Sequence, residues 1–178
     1  MHVIDTKFKG LKIIQQKKFG DSRGNLRETF RKKIIKWDNL IFDYATASKK
    51  NVLRGFHFNS KYPQAKYVTV LRGKILDYVI DLRKKSKTFG KSFSIVLSED
   101  NCKSLYIPEG FGHAYYSFSK LNLIYYKLSN YYKPKFEDGI VWNDKNLKLK
   151  WPTNKPILAK RDTKWGTFID FKKIYKGF

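Results

Sequence analysis

Tyr67-Val68-Thr69-Val70-Leu71-Arg72-Gly73-Lys74-Ile75-Leu76-Asp77-Tyr78-Val79-Ile80-Asp81-Leu82 sets two runs rich in β-branched and aromatic residues on either side of one glycine. Such side chains fit a pleated surface, and glycine reaches the positive φ that a tight turn demands. The stretch predicts a β-hairpin turning at Arg72-Gly73-Lys74. Further strands follow. Ser92-Phe93-Ser94-Ile95-Val96-Leu97 alternates with period two. Leu105-Tyr106-Ile107, Ala114-Tyr115-Tyr116-Ser117-Phe118 and Leu123-Ile124-Tyr125-Tyr126-Lys127-Leu128 are separated by Pro108-Glu109-Gly110 and Lys120-Leu121-Asn122. Short strands with turns roughly every 8–12 residues predict an all-β sandwich or barrel, and the expected architecture is a jelly-roll. Thr29 to Trp37 reads as a short helix, and the chain from Lys133 onward as Trp- and Pro-punctuated loop with a late helix.

The 178 residues suit a single domain, 1–178, with an N-terminal arm and a C-terminal loop and helix segment. With 42% hydrophobic and 17% aromatic residues the chain predicts a folded globule. No run approaches the roughly 18 apolar residues of a membrane span, and the start Met1-His2-Val3-Ile4-Asp5 has no signal-like apolar stretch. One cysteine, Cys102, fits a reducing compartment, so the expected location is cytoplasmic with no membrane partner. The net charge of +23 raises a nucleic-acid reading. Its lysines, however, are scattered as pairs such as Lys32-Lys33 and Lys172-Lys173 among many Ile, Tyr, Phe and Asn, the residues of AT-rich codons. Coding bias explains much of the excess, and no nucleic-acid partner is expected.

Three histidines occur, at positions 2, 57 and 113. Barrels of this kind often hold a metal through an H-x-H pair, but Asn59 stands two places after His57, so no metal is expected. Acid–base chemistry remains. In Val52-Leu53-Arg54-Gly55-Phe56-His57-Phe58, Arg54 and His57 would face opposite sides of a regular strand unless Gly55 bends or bulges it. From spacing alone His57 reads as a structural histidine, and His113 as either a core histidine paired to Asp77 or a site residue. Tyr126 and Tyr132 read as packed aromatics among 12 tyrosines, and Asp162 as a surface charge.

Blocks along most of the chain carry a more specific signal. They are Phe19-Gly20-Asp21-Ser22-Arg23-Gly24 with Glu28, Val52 to Phe58, Gln64-Ala65-Lys66, Asp81-Leu82-Arg83 with Ser86 to Gly90, and Ile107 to His113. Tyr126-Lys127, Asn130-Tyr131-Tyr132, Gly139 to Asp144 and Trp151-Pro152 complete them. Together they resemble the dTDP-4-dehydrorhamnose 3,5-epimerase family. The resemblance implies a homodimeric, metal-free and cofactor-free cupin jelly-roll acting on a nucleotide-diphosphate sugar next to its C4 ketone. It implies His57 as base with Asp162 behind it, Tyr126 as acid on the opposite face, and Lys66 at the enolate oxygen. Arg54, His113 and Asp77 would belong to the same pocket, and Tyr132 would stack near the nucleotide. Arg23 and Glu28 would contact the nucleotide, reaching across the dimer.

Departures from the family pattern set the substrate expectation. Phe42 and Tyr44 replace two amides, and Asn59 stands where glutamine is common. Losing two amides removes hydrogen bonds worth about 0.5–1.5 kcal/mol each, while two rings add stacking surface. The expectation is a GDP-linked 4-keto-deoxyheptose of capsule synthesis. The alternatives are the dTDP-4-keto-6-deoxyglucose of the rhamnose pathway and an enzyme inverting C3 or C5 alone.

Overall fold

The computed structural model describes residues 1–178. Thirteen strands form: β1 His2–Asp5, β2 Lys12–Gln15, β3 Lys18–Asp21, β4 Gly24–Arg27, β5 Phe42–Lys49, β6 Leu53–Asn59, β7 Lys66–Arg72, β8 Lys74–Asp81, β9 Ser92–Ser98, β10 Lys103–Ile107, β11 Phe111–Ser117, β12 Leu121–Leu128 and β13 Glu137–Gly139. One antiparallel sheet runs β1-β2-β10-β7-β12-β5, and the facing one runs β13-β6-β11-β8-β9. From β5 to β8 the chain changes sheet at every step, as it does again from β9 to β13. This is the expected all-β jelly-roll.

That alternation corrects the hairpin reading of the opening stretch. Both runs are strands, but β7 pairs with β10 and β12 while β8 pairs with β11 and β9. Only Gly73 separates them, and it turns the chain from one sheet to the other at φ +85°. A β-carbon there would lie 2.5 Å from the Leu121 carbonyl oxygen, so the corner closes only around a bare Cα. Both runs are apolar enough for a hairpin, yet each buries its inner residues better against the opposite sheet. Val68, Val70, Ile75, Val79, Leu105, Ile124 and Leu128 meet in one core between the sheets.

Two further clusters cover the outer faces. The C-terminal helix α1, Phe168–Tyr175, lays Phe168 and Phe171 against Phe56, Phe58 and Ile80. It starts at a capping box of Thr167 and Asp170, which satisfies its first free N–H groups. The helix expected over Thr29 to Trp37 does not form. One turn closes through the Ile34 and Ile35 N–H groups on the Arg31 carbonyl. The Thr29 carbonyl instead accepts hydrogen bonds from Tyr67 at 2.7 Å and Gln16 at 2.9 Å. The segment is thereby a strap that seals Ile35 against Tyr67 and Tyr106. No helix is long and apolar enough to cross a membrane.

Substituting Gly73→Ala should destabilise the fold by about 1–3 kcal/mol or more, because the residue would sit at positive φ and against a backbone oxygen. A lowered urea midpoint checks this; an unchanged midpoint would mean the corner has another way to turn.

Candidate active site

A cavity of about 550 Å³ opens between the sheets and takes side chains from both. From the five-stranded sheet come Arg54 and His57 on β6 and His113 on β11; from the six-stranded sheet come Phe42, Tyr44 and Thr46 on β5, Lys66 on β7 and Tyr126 on β12. The parity obstacle between Arg54 and His57 is removed as the sequence required. His57 pairs with His113 and Arg54 with Tyr115, so β6 carries one extra residue in a bulge. Gly55 sits in it at φ +110°, and a β-carbon would lie 2.4 Å from the His113 carbonyl oxygen. Both side chains therefore reach the cavity.

Each pocket histidine is held by a carboxylate. The Nε2–H of His57 donates to Asp162 Oδ1 at 2.7 Å, which leaves Nδ1 as the unbonded ring nitrogen, 3.8 Å from Glu137 Oε1. Asp162 is not a surface charge: it is 1% exposed, in a 3-10 turn at Lys160–Thr163. Burial pushes its pKa up, but hydrogen bonds from His57, the Gly55 N–H and Trp165, with the nearby imidazole charge, outweigh that and hold it below its usual 3.8. His113 donates from Nε2 to Asp77 Oδ2 at 2.8 Å. Asp77 lies fully buried behind it with Oδ1 unpartnered, and burial pushes its pKa up despite His113 and Lys66.

Across the cavity, burial lowers the Lys66 pKa to about 8, partly opposed by the charges of Glu137 and Asp77. Tyr126 is 3% exposed, and burial raises its phenol well above the usual range. Its ring stacks on Tyr44, with centroids 4.9 Å apart and planes at 22°, and meets His113 edge-on at 6.1 Å. Phe42 packs on Tyr44 and Tyr131. At the mouth, Tyr132 donates to Glu137 Oε2 at 2.8 Å, which Arg161 also reaches at 2.5 Å. A nitrogen able to take up a proton on one wall thus faces a phenol able to give one from the other, with the Lys66 ammonium on the phenol's wall.

Of the residues expected in the pocket, His57, Asp162, Tyr126, Lys66, Arg54, His113, Tyr132, Phe42, Tyr44 and Asn59 line it, and Asp77 stands behind His113. Arg23 and Glu28 do not. Arg23 lies on the β3–β4 ribbon, paired with Asp21, and Glu28 just past its end, paired with Arg31. The sequence reading missed Glu137, Arg161, Thr46 and Tyr115. Tyr115 was within reach, since it sits two residues after His113 on the same strand face. Glu137 carries no local signal, being one acid at the start of a three-residue strand.

A family model described as dTDP-4-dehydrorhamnose 3,5-epimerase matches residues 5–170. The dTDP-4-dehydrorhamnose 3,5-epimerase of Shigella flexneri is 36% identical over 96% of this chain and 97% of its own. The crystal structure of dTDP-6-deoxy-D-glucose-3,5-epimerase from Legionella pneumophila, in complex with dTDP-4-keto-L-rhamnose, is 34% identical. It has a TM-score of 0.89 and covers 94% of this chain and 93% of that one. A 3'-monoepimerase from Streptomyces bikiniensis in complex with dTDP-quinovose has a TM-score of 0.89 at 27% identity, covering 98% and 90%. All three names carry dTDP sugars, so the expected GDP-linked heptose and its capsule setting find no support. In the cavity wall the Phe42 ring packs on Tyr131 and the Tyr44 ring on Tyr126.

Asp162 has a folded pKa below 3.8, so its carboxylate stabilises the fold above that value and the gain fades as pH falls through it. The stability gap between the unaltered chain and Asp162→Asn should be open near neutrality and close as pH falls below 3.8 and through the lowered folded value. Urea unfolding across that range measures it, and a constant gap would contradict the pairing.

Proposed function

The chain belongs to the dTDP-4-dehydrorhamnose 3,5-epimerase family and is a carbohydrate epimerase of that type; on this footing we propose that it inverts C3 and C5 of dTDP-4-keto-6-deoxyglucose, a step toward dTDP-rhamnose. The observation that carries the reading is that His57 and Tyr126 stand on opposite sheets, on either side of one cavity. Epimerisation takes a proton from one face of a carbon and returns one to the other, so two groups must flank the ring.

His57 takes the proton from the carbon beside the ketone at Nδ1, and the C–H electrons move to the C4 oxygen as an enolate. Asp162 keeps the other nitrogen protonated and stabilises the imidazolium that forms. The Lys66 ammonium meets the enolate oxygen, where a preorganised cation in a dry site acts most strongly. The Tyr126 hydroxyl then protonates the carbon from the far side as the enolate returns to the ketone. Its raised pKa keeps it a phenol at neutral pH, as a proton donor must be. The imidazolium and phenolate recover their starting protonation by exchange with water before the second carbon is inverted. Arg54 answers the diphosphate, Tyr132 at the mouth stacks on the base, and Phe42 and Asn59 complete the wall.

The experiment is proton NMR of dTDP-4-keto-6-deoxyglucose in heavy water with the pure protein. Deuterium should enter at C3 and C5 with inversion at both. The Streptomyces bikiniensis likeness keeps one alternative open, inversion at C3 alone, and deuterium confined to C3 would select it. His57→Asn should lower uptake about 10²–10⁴-fold, the usual cost of losing a positioned base. Normal uptake in that variant would remove His57 from the mechanism.

We also propose a homodimer. The β3–β4 ribbon belongs to neither main sheet and exposes Phe19 and Leu26 at 60% and 67%. A two-stranded ribbon is marginal on its own, and such side chains gain by packing on a second copy. That arrangement would carry Arg23 toward the other subunit's pocket. Light scattering should report a mass of two chains, and Phe19→Asp with Leu26→Asp should shift it to one. A single-chain mass for the unaltered protein would overturn the proposal.

A further inference from the structure

We propose that Tyr44 is a positioning residue, whose ring, stacked on Tyr126 from the neighbouring edge strand, holds the Tyr126 hydroxyl on the line along which it protonates the substrate. The inference rests on the reading of Tyr126 as the acid. Strand β5 borders the sheet, and its period of two turns Phe42, Tyr44, Thr46 and Ser48 to the inside. Tyr44 and Tyr126 are directly opposed in the β5–β12 register, which brings the rings face to face at 4.9 Å and 22°. His113, fixed by Asp77, meets the same Tyr126 ring edge-on. The phenol is thus clamped between a stacked ring and a perpendicular one, and neither touches its oxygen through a hydrogen bond.

A hydrogen bond would hold the hydroxyl but compete for the proton it must deliver. Stacking fixes the ring and leaves the O–H free for the substrate. Tyr44 is itself braced: Phe42 packs on it at 5.8 Å, and Tyr131 packs on Phe42 at 5.8 Å. That row matters because β5 has no strand on its other side. Tyr44 is 38% exposed and Tyr126 3%, so the outer ring also keeps water from the inner one. The Tyr44 phenol, with its pKa pushed up to about 12 by burial, is uncharged at neutral pH and contributes its ring alone. Phenylalanine should therefore replace it.

The test compares the unaltered protein with Tyr44→Phe, Tyr44→Leu and Tyr44→Ala on dTDP-4-keto-6-deoxyglucose in heavy water, following deuterium uptake and inversion separately. In the Ala and Leu variants inversion should fall by about 10²-fold, the cost of misplacing a reacting group by about an ångström, while uptake through His57 falls no more than about threefold. Tyr44→Phe should keep both. A merely structural role would lower uptake and inversion together. Equal losses of uptake and inversion in the Leu and Ala variants, or loss of inversion in the Phe variant, would overturn the inference. Leu fills most of the volume and decides the matter if Ala does not fold. Absence of any uptake in the unaltered protein would instead overturn the epimerase reading, and this inference with it.

Discussion

The backbone of Gly55 runs so close to β11 that a side chain there would strike the His113 carbonyl and Ala114. The pocket depends on that approach. The bulge it permits shifts the register of β6 by one residue, and a one-residue shift moves a side chain to the other face of a sheet. Without it, either Arg54 or His57 would point toward the outer layer of Phe168 and Phe171, where a charged group has no partner. The same contact brings the Gly55 N–H to Asp162 Oδ2 at 3.4 Å, so the bulge also helps seat the carboxylate behind His57.

The two histidine–carboxylate pairs look alike in geometry and differ in electrostatics. Asp162 collects hydrogen bonds from His57, Gly55 and Trp165, enough to hold it ionised despite burial. Asp77 has one donor and a bare second oxygen, and burial dominates. A firmly ionised partner favours an imidazole that takes up a proton, as proposed for His57. A carboxylate that resists ionisation suits a histidine that orients without cycling.

Strand content was legible because alternation and β-branched composition register locally. The pairing of those strands was not. Lys66 to Asp81 has the composition of a hairpin, and only the burial offered by two facing sheets makes Gly73 a corner between them. The Thr29–Trp37 strap failed as a helix for the same kind of reason, since the Thr29 carbonyl is claimed by Tyr67 and Gln16 from distant strands. At the site, His57 was ambiguous by spacing because parity turned on a bulge that only Gly55 hinted at. Asp162 in Lys160-Arg161-Asp162 looked solvated, and its burial comes from a turn that packs on β6 across the fold. The resemblance to a known family supplied those roles, and the substrate expectation drawn from Phe42 and Tyr44 had only their composition to go on, whereas the fold sets both rings in the cavity wall against each other and against Tyr126 and Tyr131.

His57 and Asp162 are 105 residues apart in the chain, and all thirteen strands precede Asp162. During synthesis both sheets can emerge and pair before the carboxylate leaves the ribosome, since long-range closure waits for its later partner. The imidazole can then stand in a barrel already built and meet its orienting carboxylate afterwards, with Trp165 donating to the same Asp162 oxygen just ahead of the helix. The reactive centre is in this way completed by a segment that follows every strand in the chain.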